Sequence, residues 1–82
     1  MYAVNVIYQN QSDTTKLWTY KVDDSISLAK EDKVIVPVLE DFIFKIATVI
    51  EVIKEPQLKS NIDYRWLAQK LDLTTYNKCL VS

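Results

Sequence analysis

The side chains of this chain that could support catalysis are carboxylates, hydroxyls, amines and one thiol. The sequence has no His and one Cys, which excludes an imidazole base, a His metal ligand and an intramolecular disulfide. Adjacent acidic pairs occur at positions 23–24, 31–32 and 40–41. Neighbouring residues of a strand point to opposite faces, so such pairs fit solvated turns better than a cooperating acid and base. We therefore predict no catalytic residue and no enzyme activity.

Metal, thiol and nucleotide chemistry are also poorly supported. The acidic residues between positions 23 and 32 lack the Asp spacing and the closing Glu of a calcium loop. Cys79 follows Lys78 but has no His to activate it, so we expect a structural thiol. The chain contains no Gly, which excludes glycine-rich loops that hold phosphates or dinucleotides. We predict no metal site and no cofactor.

Aromatic and basic side chains form a candidate nucleic-acid site. Small β-barrels bind single strands by stacking bases on exposed aromatic rings beside basic side chains. The net charge of −1 and the absence of a Lys/Arg cluster count against this interpretation. The alternative, which we favour, is that Trp18, Tyr20 and Trp66 fill the core. The candidate residues are Trp18, Tyr20, Lys21, Lys45, Tyr64, Arg65 and Trp66.

Apolar side chains near position 43 form a candidate protein-binding surface. The chain is 49% hydrophobic but has 82 residues, so it offers little core in which to bury them. Phe42, Ile43 and Phe44, together with Ile50 and Ile53, exceed what one face of a sheet can bury. We expect some of them to form an exposed patch or a self-association face, and a homodimer is one outcome. A sealed monomer is the alternative.

Alternation of apolar and polar residues predicts the strands that position these side chains. It covers residues 2–8, 18–22 and 33–38, and Pro37 places its strand at a sheet edge or near its own end. Residues 42–53 are apolar in both alternating sets. This pattern indicates a strand that is buried on both faces or carries a bulge, and that is long enough to bend through two sheets. The sequence predicts a single, mainly β domain over residues 1–82.

Polar segments predict the turns between these strands. Residues 9–16 predict a hairpin loop, and residues 40–41 predict the tip of a tight hairpin. Because Gly is absent, any left-handed backbone position must use another residue, and Asn10, Asp41 and Asn61 are the candidates.

The C-terminal part allows two interpretations. Residues 60–63 resemble a capping box that begins a helix, whereas Tyr64, Trp66 and Ala68 alternate as in a strand. A small open sheet gains from a closing strand, so we favour a strand over residues 64–70. A short helix is predicted to follow, from Thr74 or Thr75 to Leu80.

Four segments in order resemble small proteins of tailed bacteriophages. They are Trp-Thr-Tyr-Lys-Val (18–22), Asp-Lys-Val-Ile-Val-Pro (32–37), Lys-Ile-Ala-Thr-Val-Ile-Glu-Val (45–52) and Tyr-Arg-Trp-Leu-Ala-Gln-Lys-Leu-Asp-Leu (64–73). Those proteins are compact SH3-like β-barrels, and the N-terminal β-domain of primosomal helicases has a loosely similar rhythm. Their pattern usually places Gly before the Asp of the second segment, where this chain has Glu31, so we expect a different turn. The resemblance implies an SH3-like barrel of about five strands with a short C-terminal helix, but no activity.

Two binding functions follow as expectations. The favoured one is a non-enzymatic phage accessory protein that binds a host or phage protein and inhibits or redirects a host factor. The alternative is a small single-stranded nucleic-acid-binding module that serves phage replication. No apolar run reaches the roughly 20 residues of a membrane helix, and the N-terminal residues do not resemble a signal peptide. We therefore expect a location in the host cytoplasm, away from membranes.

Overall fold

The structure is a computed structural model that describes residues 1–38 and 40–72, with residues 40–42 described by their backbone only. Its strands are β1 (Tyr2–Tyr8), β2 (Trp18–Val22), β3 (Lys33–Val38), β4 (Glu40–Ile53) and β5 (Gln69–Lys70). They form one curled antiparallel sheet in the order β2-β1-β4-β3-β5. The prediction of a mainly β fold with about five strands is confirmed. The helix predicted from Thr74 to Leu80 lies outside the described residues.

The core consists mainly of valines on the inner face of this sheet. Val4 and Val6 of β1 face Val34 and Val36 of β3, and all four side chains are fully buried. Their spacing of two residues confirms the predicted alternation, because alternate side chains of a strand share one face. Each buried valine contributes roughly 1.5–3 kcal/mol relative to an exposed one. Further core residues are Tyr2, Tyr20, Val22, Leu28, Val38, Ala47, Val49 and Leu67.

Strand β4 pairs with two neighbouring strands. Its first part pairs with β3 and its last part pairs with β1. In the second pairing Val6 lies opposite Val49 while Asn5 lies opposite Glu51, so Ile50 is an extra, bulged residue. The bulge keeps Val49 buried and turns Val52, three residues later, towards the core. Of the two interpretations of this doubly apolar strand, the bulge is confirmed.

The segment after residue 63 forms backbone hydrogen bonds to two strands of the sheet, β2 and β3. The Lys21 N–H of β2 donates to the Arg65 carbonyl (2.9 Å), and the Leu67 N–H donates to the Lys21 carbonyl (2.9 Å). The chain then crosses to β3, where the Ala68 N–H donates to the Ile35 carbonyl (3.0 Å). The predicted strand over residues 64–70 is therefore right about backbone pairing but wrong about length. Regular strand is limited to β5 because the segment changes partners.

Two residues adopt left-handed backbone conformations within the described chain. Asn10 has φ 66°, as predicted, and Glu31 has φ 77°, which was not predicted. Asp41 and Asn61 are not left-handed, so the prediction is wrong for them. Glu31 takes a conformation that Gly adopts most readily. A turn that differs from the phage pattern at this position stays a prediction. Its N–H donates to the Val49 carbonyl (2.7 Å).

The hairpin between β3 and β4 has a different tip from the one predicted. The two strands pair antiparallel, which confirms a hairpin at this point. Residues 40–41, however, belong to β4 itself.

Candidate functional site

The first candidate surface lies on the N-terminal half of β4. Of the predicted protein-binding residues, Ile43 is 45% exposed and Phe44 is 53% exposed, and Ile46 is exposed as well. The Phe42 side chain is outside the described part of the structure. The exposure has a topological cause, because β1 ends at Tyr8 and the N-terminal half of β4 runs on beyond it.

Three exposed apolar side chains lie on the outer side of the sheet near its open end, and we call Phe44, Ile46 and Trp66 the apolar strip. Phe44 pairs with Pro37 across the β3–β4 ladder, and Ile46 pairs with Ile35. Phe44, Pro37 and Trp66 line one shallow groove. Alternation along β4 points Ile43 to the other side, away from the strip. The strip thus joins residues of β4 to Trp66, which is at least twenty positions away in sequence.

The second candidate surface is a cleft between β2 and residues 62–65, which we call the aromatic cleft. It has a volume of about 440 Å³. Four of the seven predicted nucleic-acid-binding residues line it, namely Trp18, Tyr20, Tyr64 and Arg65. The side chains that complete its wall are Tyr8, Leu17, Thr19, Val38, Ile62 and Asp63.

The remaining predicted residues lie beside this cleft. Lys21 and Trp66 line the groove on the other side of residues 63–65, with the Lys21 Nζ 4.8 Å from the centroid of the Trp66 ring. Lys45 lies near Tyr8, its Nζ 5.5 Å from that ring centroid. The predicted residues are therefore divided among neighbouring sites and do not form a single pocket.

Two lysines and two aromatic rings form a column along the rim of the aromatic cleft. The rings of Tyr8 and Trp18 are stacked, with centroids 5.2 Å apart and planes 20° apart. Lys16 Nζ lies 4.7 Å from the centroid of Trp18, and Lys45 lies against Tyr8. Such cation–π contacts contribute about 0.5–1 kcal/mol at exposed sites. The sequence interpretation missed Lys16 and Tyr8 here, although Lys16 precedes Trp18 by only two residues.

Tyr20 belongs to the core. Its side chain is buried, and its hydroxyl donates to the Pro37 carbonyl (2.7 Å) and accepts from the Tyr8 hydroxyl (2.7 Å). Burial and the Tyr8 hydroxyl raise the pKa of Tyr20 far above its ordinary value. The prediction that aromatics fill the core is right for Tyr20 and wrong for Trp66, while Trp18 is half-buried against the core.

Three carboxylates of the first two acidic pairs, Asp23, Asp24 and Asp32, serve local structure. The Asp23 carboxylate accepts from the Ser25 hydroxyl and N–H, and Asp24 accepts from the N-terminal ammonium group (2.7 Å). Asp32 accepts from the Ala29 N–H (2.8 Å). Within residues 1–38 and 40–72, no group of three or more acidic or Cys side chains is placed to hold a metal ion. These carboxylates shape turns.

Comparison with known proteins leaves the two surfaces as the basis for inferring function. No protein-family model matches the chain, and no curated protein or solved structure matches it. Phage origin and an SH3-like relationship therefore stay predictions. Among the described residues, no helix is long and apolar enough to cross a membrane.

Proposed function

We propose that this protein has no enzyme activity and acts by binding another protein through the apolar strip. The observation that carries the proposal is the exposure of Phe44 and Trp66, 53% and 48%, in one shared groove. Large exposed apolar groups that adjoin one another mark interaction surfaces. The resemblance to phage proteins extends the proposal: an SH3-like phage accessory protein in the host cytoplasm whose partner is a host factor or a phage protein.

The strip has the composition of a binding hot spot. Aromatic side chains dominate binding energy when they enter a pocket on the partner, and Trp is among the most enriched residues at such sites. The small side chains of Pro37 and Ala68 line the same groove, and both rings remain exposed. Lys21, held against the Trp66 ring, provides a polar rim.

The test is capture from a bacterial lysate with tagged wild-type protein, after nuclease treatment, followed by mass spectrometry. Phe44→Asp should lose a stoichiometric protein partner while its circular dichroism spectrum stays unchanged. Leu17→Asp is the matched control, because Leu17 is also exposed and apolar but lies in the aromatic cleft. It should keep the partner. A folded Phe44→Asp variant that retains the partner would contradict the proposal.

Single-stranded nucleic-acid binding is the second candidate, and a specific observation favours it. The column of Lys16, Trp18, Tyr8 and Lys45 borders the aromatic cleft that Arg65 also lines. Folding gathers these cations beside aromatic rings although they are scattered in sequence, which answers part of the objection from net charge.

A fluorescence anisotropy titration at low salt, with a labelled single-stranded oligonucleotide of mixed sequence, tests the second candidate. Binding should weaken steeply as salt rises, and Lys45→Ala should weaken it further. Lys33→Ala is the matched control, because Lys33 is exposed at the far end of the β3–β4 ladder. The absence of binding at low salt would dismiss this candidate.

A further inference from the structure

Strand β2 has open backbone groups at the edge that borders the aromatic cleft. The N–H and C=O of Lys21 point away from β1, because they bond to residues 65–67. Backbone groups of alternate residues in an antiparallel strand point to the same edge, so those of Thr19 also point away from β1. Thr19 lines the cleft, and none of the described residues supplies a backbone partner on that side. One donor and one acceptor are therefore open to a ligand in the cleft.

The Tyr64 ring offers such a ligand a stacking surface. Tyr64 lines the cleft, and in the part of the chain that the structure describes no other ring stacks on it and no lysine lies against it. Tyr8 and Trp18 stack on each other instead, and each has a lysine against its ring. A planar group can therefore stack on Tyr64 and leave the column of lysines and rings intact.

Positive charges outnumber negative charges around the cleft. Arg65 lines the cleft, and Lys16 and Lys45 are at the two ends of the column on its rim. The negative charges are those of Asp63 in the cleft and Asp13 in the loop beside it. An anionic ligand is therefore favoured over a cationic one, and more so at low salt.

The charge of Arg65 acts inside the cleft. Burial raises the pKa of the Tyr20 hydroxyl in the cleft wall, and the positive charge of Arg65 opposes that rise. A guanidinium within electrostatic reach of this hydroxyl is also within reach of an anionic group that enters the cleft.

We propose that the aromatic cleft binds a nucleotide, with the base inside the cleft and the phosphate at its rim. The base stacks on Tyr64. Its Watson–Crick edge, which carries a donor beside an acceptor in every nucleobase, pairs with the open N–H and C=O of Thr19. The phosphate lies towards Arg65 and the rim lysine Lys16.

The cleft has room for one nucleotide. Its volume of about 440 Å³ lies within the range of roughly 300–1,000 Å³ that small-ligand sites occupy. The ligand is therefore either a free nucleotide or one nucleotide of a single strand. With a strand as its source, the site deepens the second candidate function and rests on it, whereas a free nucleotide is a further function. The apolar strip takes no part in either.

The test titrates the full chain with adenosine 5′-monophosphate (AMP) to about 10 mM and follows the backbone amide signals of Thr19 and Arg65 by NMR. Both signals should shift in a saturable way. Adenosine, which lacks the phosphate, should bind about tenfold more weakly because a charge-assisted hydrogen bond is lost. Ribose 5-phosphate, which lacks the base, should leave the Thr19 signal unchanged.

Lys16→Gln removes the rim cation and should weaken the binding of AMP by up to about fivefold, while that of adenosine stays the same. Lys54→Gln is the matched control. Lys54 also lies against an aromatic ring, with its Nζ 5.2 Å from the centroid of Tyr2, but at the other end of β1. This variant should bind AMP like the wild type.

An oligoadenylate of about eight nucleotides separates the two sources of the nucleotide. A site for a strand should bind it more tightly than AMP, and its affinity should fall more steeply as salt rises, because more phosphates are contacted. A site for a free nucleotide should bind both with the same affinity per nucleotide. Either result supports the site if the Thr19 and Arg65 signals shift.

Unchanged Thr19 and Arg65 signals with AMP overturn the nucleotide site, as does a Lys16→Gln variant that binds AMP as tightly as Lys54→Gln. Equal shifts with ribose 5-phosphate overturn it as well, because the base is then not recognised. An oligoadenylate that binds while the two signals stay unchanged overturns the cleft site but leaves the second candidate function standing. A chain that binds neither AMP nor the oligoadenylate loses both, and the protein-binding proposal is unaffected.

Discussion

The two halves of strand β4 carry similar residues but have different surroundings. In the C-terminal half Ala47 and Val49 have no exposed surface, whereas in the N-terminal half Ile43, which alternation places on the same face, is 45% exposed. The C-terminal half is flanked on both edges, since β1 pairs with it on one side and residues 31–32 bond to Val49 on the other. Among the described residues, β3 is the strand that pairs with the N-terminal half. Burial along this strand thus follows its neighbours and not its own hydropathy.

The largest expected effect contrasts one substitution in each half. Val49→Asp places a carboxylate in the valine core at a cost of several kcal/mol, comparable with the whole free energy of unfolding of a small domain, about 5–10 kcal/mol. We expect this variant to be unfolded. Phe44→Asp should lower the free energy of unfolding by only about 1 kcal/mol, because about half of the Phe44 side chain is already in water. Urea titrations followed by circular dichroism measure both, and equal losses would break the comparison.

The next largest effect on the free energy of unfolding should come from the hydroxyls of Tyr8 and Tyr20, which lie near the boundary between the two halves of β4. Tyr20→Phe leaves the buried Pro37 carbonyl without its donor and should lower the free energy of unfolding by about 1–2 kcal/mol. Tyr8→Phe removes only the bond to the Tyr20 hydroxyl and should cost less. Urea titrations of the two variants under the same conditions check this order. A larger loss of unfolding free energy in Tyr8→Phe would contradict this order and would show that the Tyr8 hydroxyl contributes more to stability than the bond from Tyr20 to Pro37.

Alkaline pH probes the same boundary. Because burial raises the pKa of Tyr20, the folded state keeps its proton at pH values where the unfolded chain, with a Tyr pKa near 10, loses it. The stabilisation is complete below about pH 10 and is lost as pH rises further. Stability measured by urea from pH 8 to 11 should therefore fall at the alkaline end. The fall should be shallower in Tyr20→Phe, and an identical fall would remove Tyr20 as its cause.

The two residues with left-handed backbone lie next to the two halves of β4, and substitutions there should change the free energy of unfolding by a smaller amount. Glu31 brings its N–H to Val49, whereas Asn10 turns β1 away from Phe44. The left-handed conformation costs a non-glycine residue roughly 1–2 kcal/mol of free energy, but it costs Asn less. Glu31→Gly should raise the free energy of unfolding by about 0.5–1 kcal/mol, and Asn10→Gly should change it little. Glu31→Ala, which keeps a Cβ, is the control and should show no gain in urea titrations.

Local sequence patterns were sufficient to predict the buried face of the sheet. The spacing of Val4, Val6, Val34 and Val36 encodes the inner face directly, because strand alternation is a property of adjacent residues. The two apolar sets of β4 also indicated either burial on both faces or a bulge, and the structure has the bulge. These inferences needed no knowledge of which strands are neighbours.

The open part could not be predicted in the same way. Exposure of Phe44 depends on where β1 leaves the sheet, and the meeting of Trp18 with Tyr64 depends on the bonds between Lys21 and residues 65–67. These are contacts between distant parts of the chain, and a sequence pattern carries no direct record of them. Hydropathy could indicate a surplus of apolar residues, but it could not say which of them remain in water.

The smallest expected effect asks whether the loops at the two ends of β2 differ as the halves of β4 do. Asp13 precedes β2 and accepts from the Thr15 hydroxyl and N–H, while Asp23 follows β2 and accepts from the same two groups of Ser25. These bonds lower the pKa of both exposed carboxyls below the ordinary value. Each carboxylate therefore stabilises the folded state above about pH 4, and the effect is lost as pH falls through the lowered pKa. Carboxyl titration by NMR should find both pKa values depressed, with Ser25→Ala raising that of Asp23 alone, because the hydroxyl bond is lost and the N–H bond remains. A depressed pKa at Asp23 but an ordinary one at Asp13 would show that the loop beside the aromatic cleft is less ordered than the loop after β2, as the N-terminal half of β4 is less buried than its C-terminal half. Equal depression of the two pKa values would show that the two loops are alike and that the contrast is limited to β4.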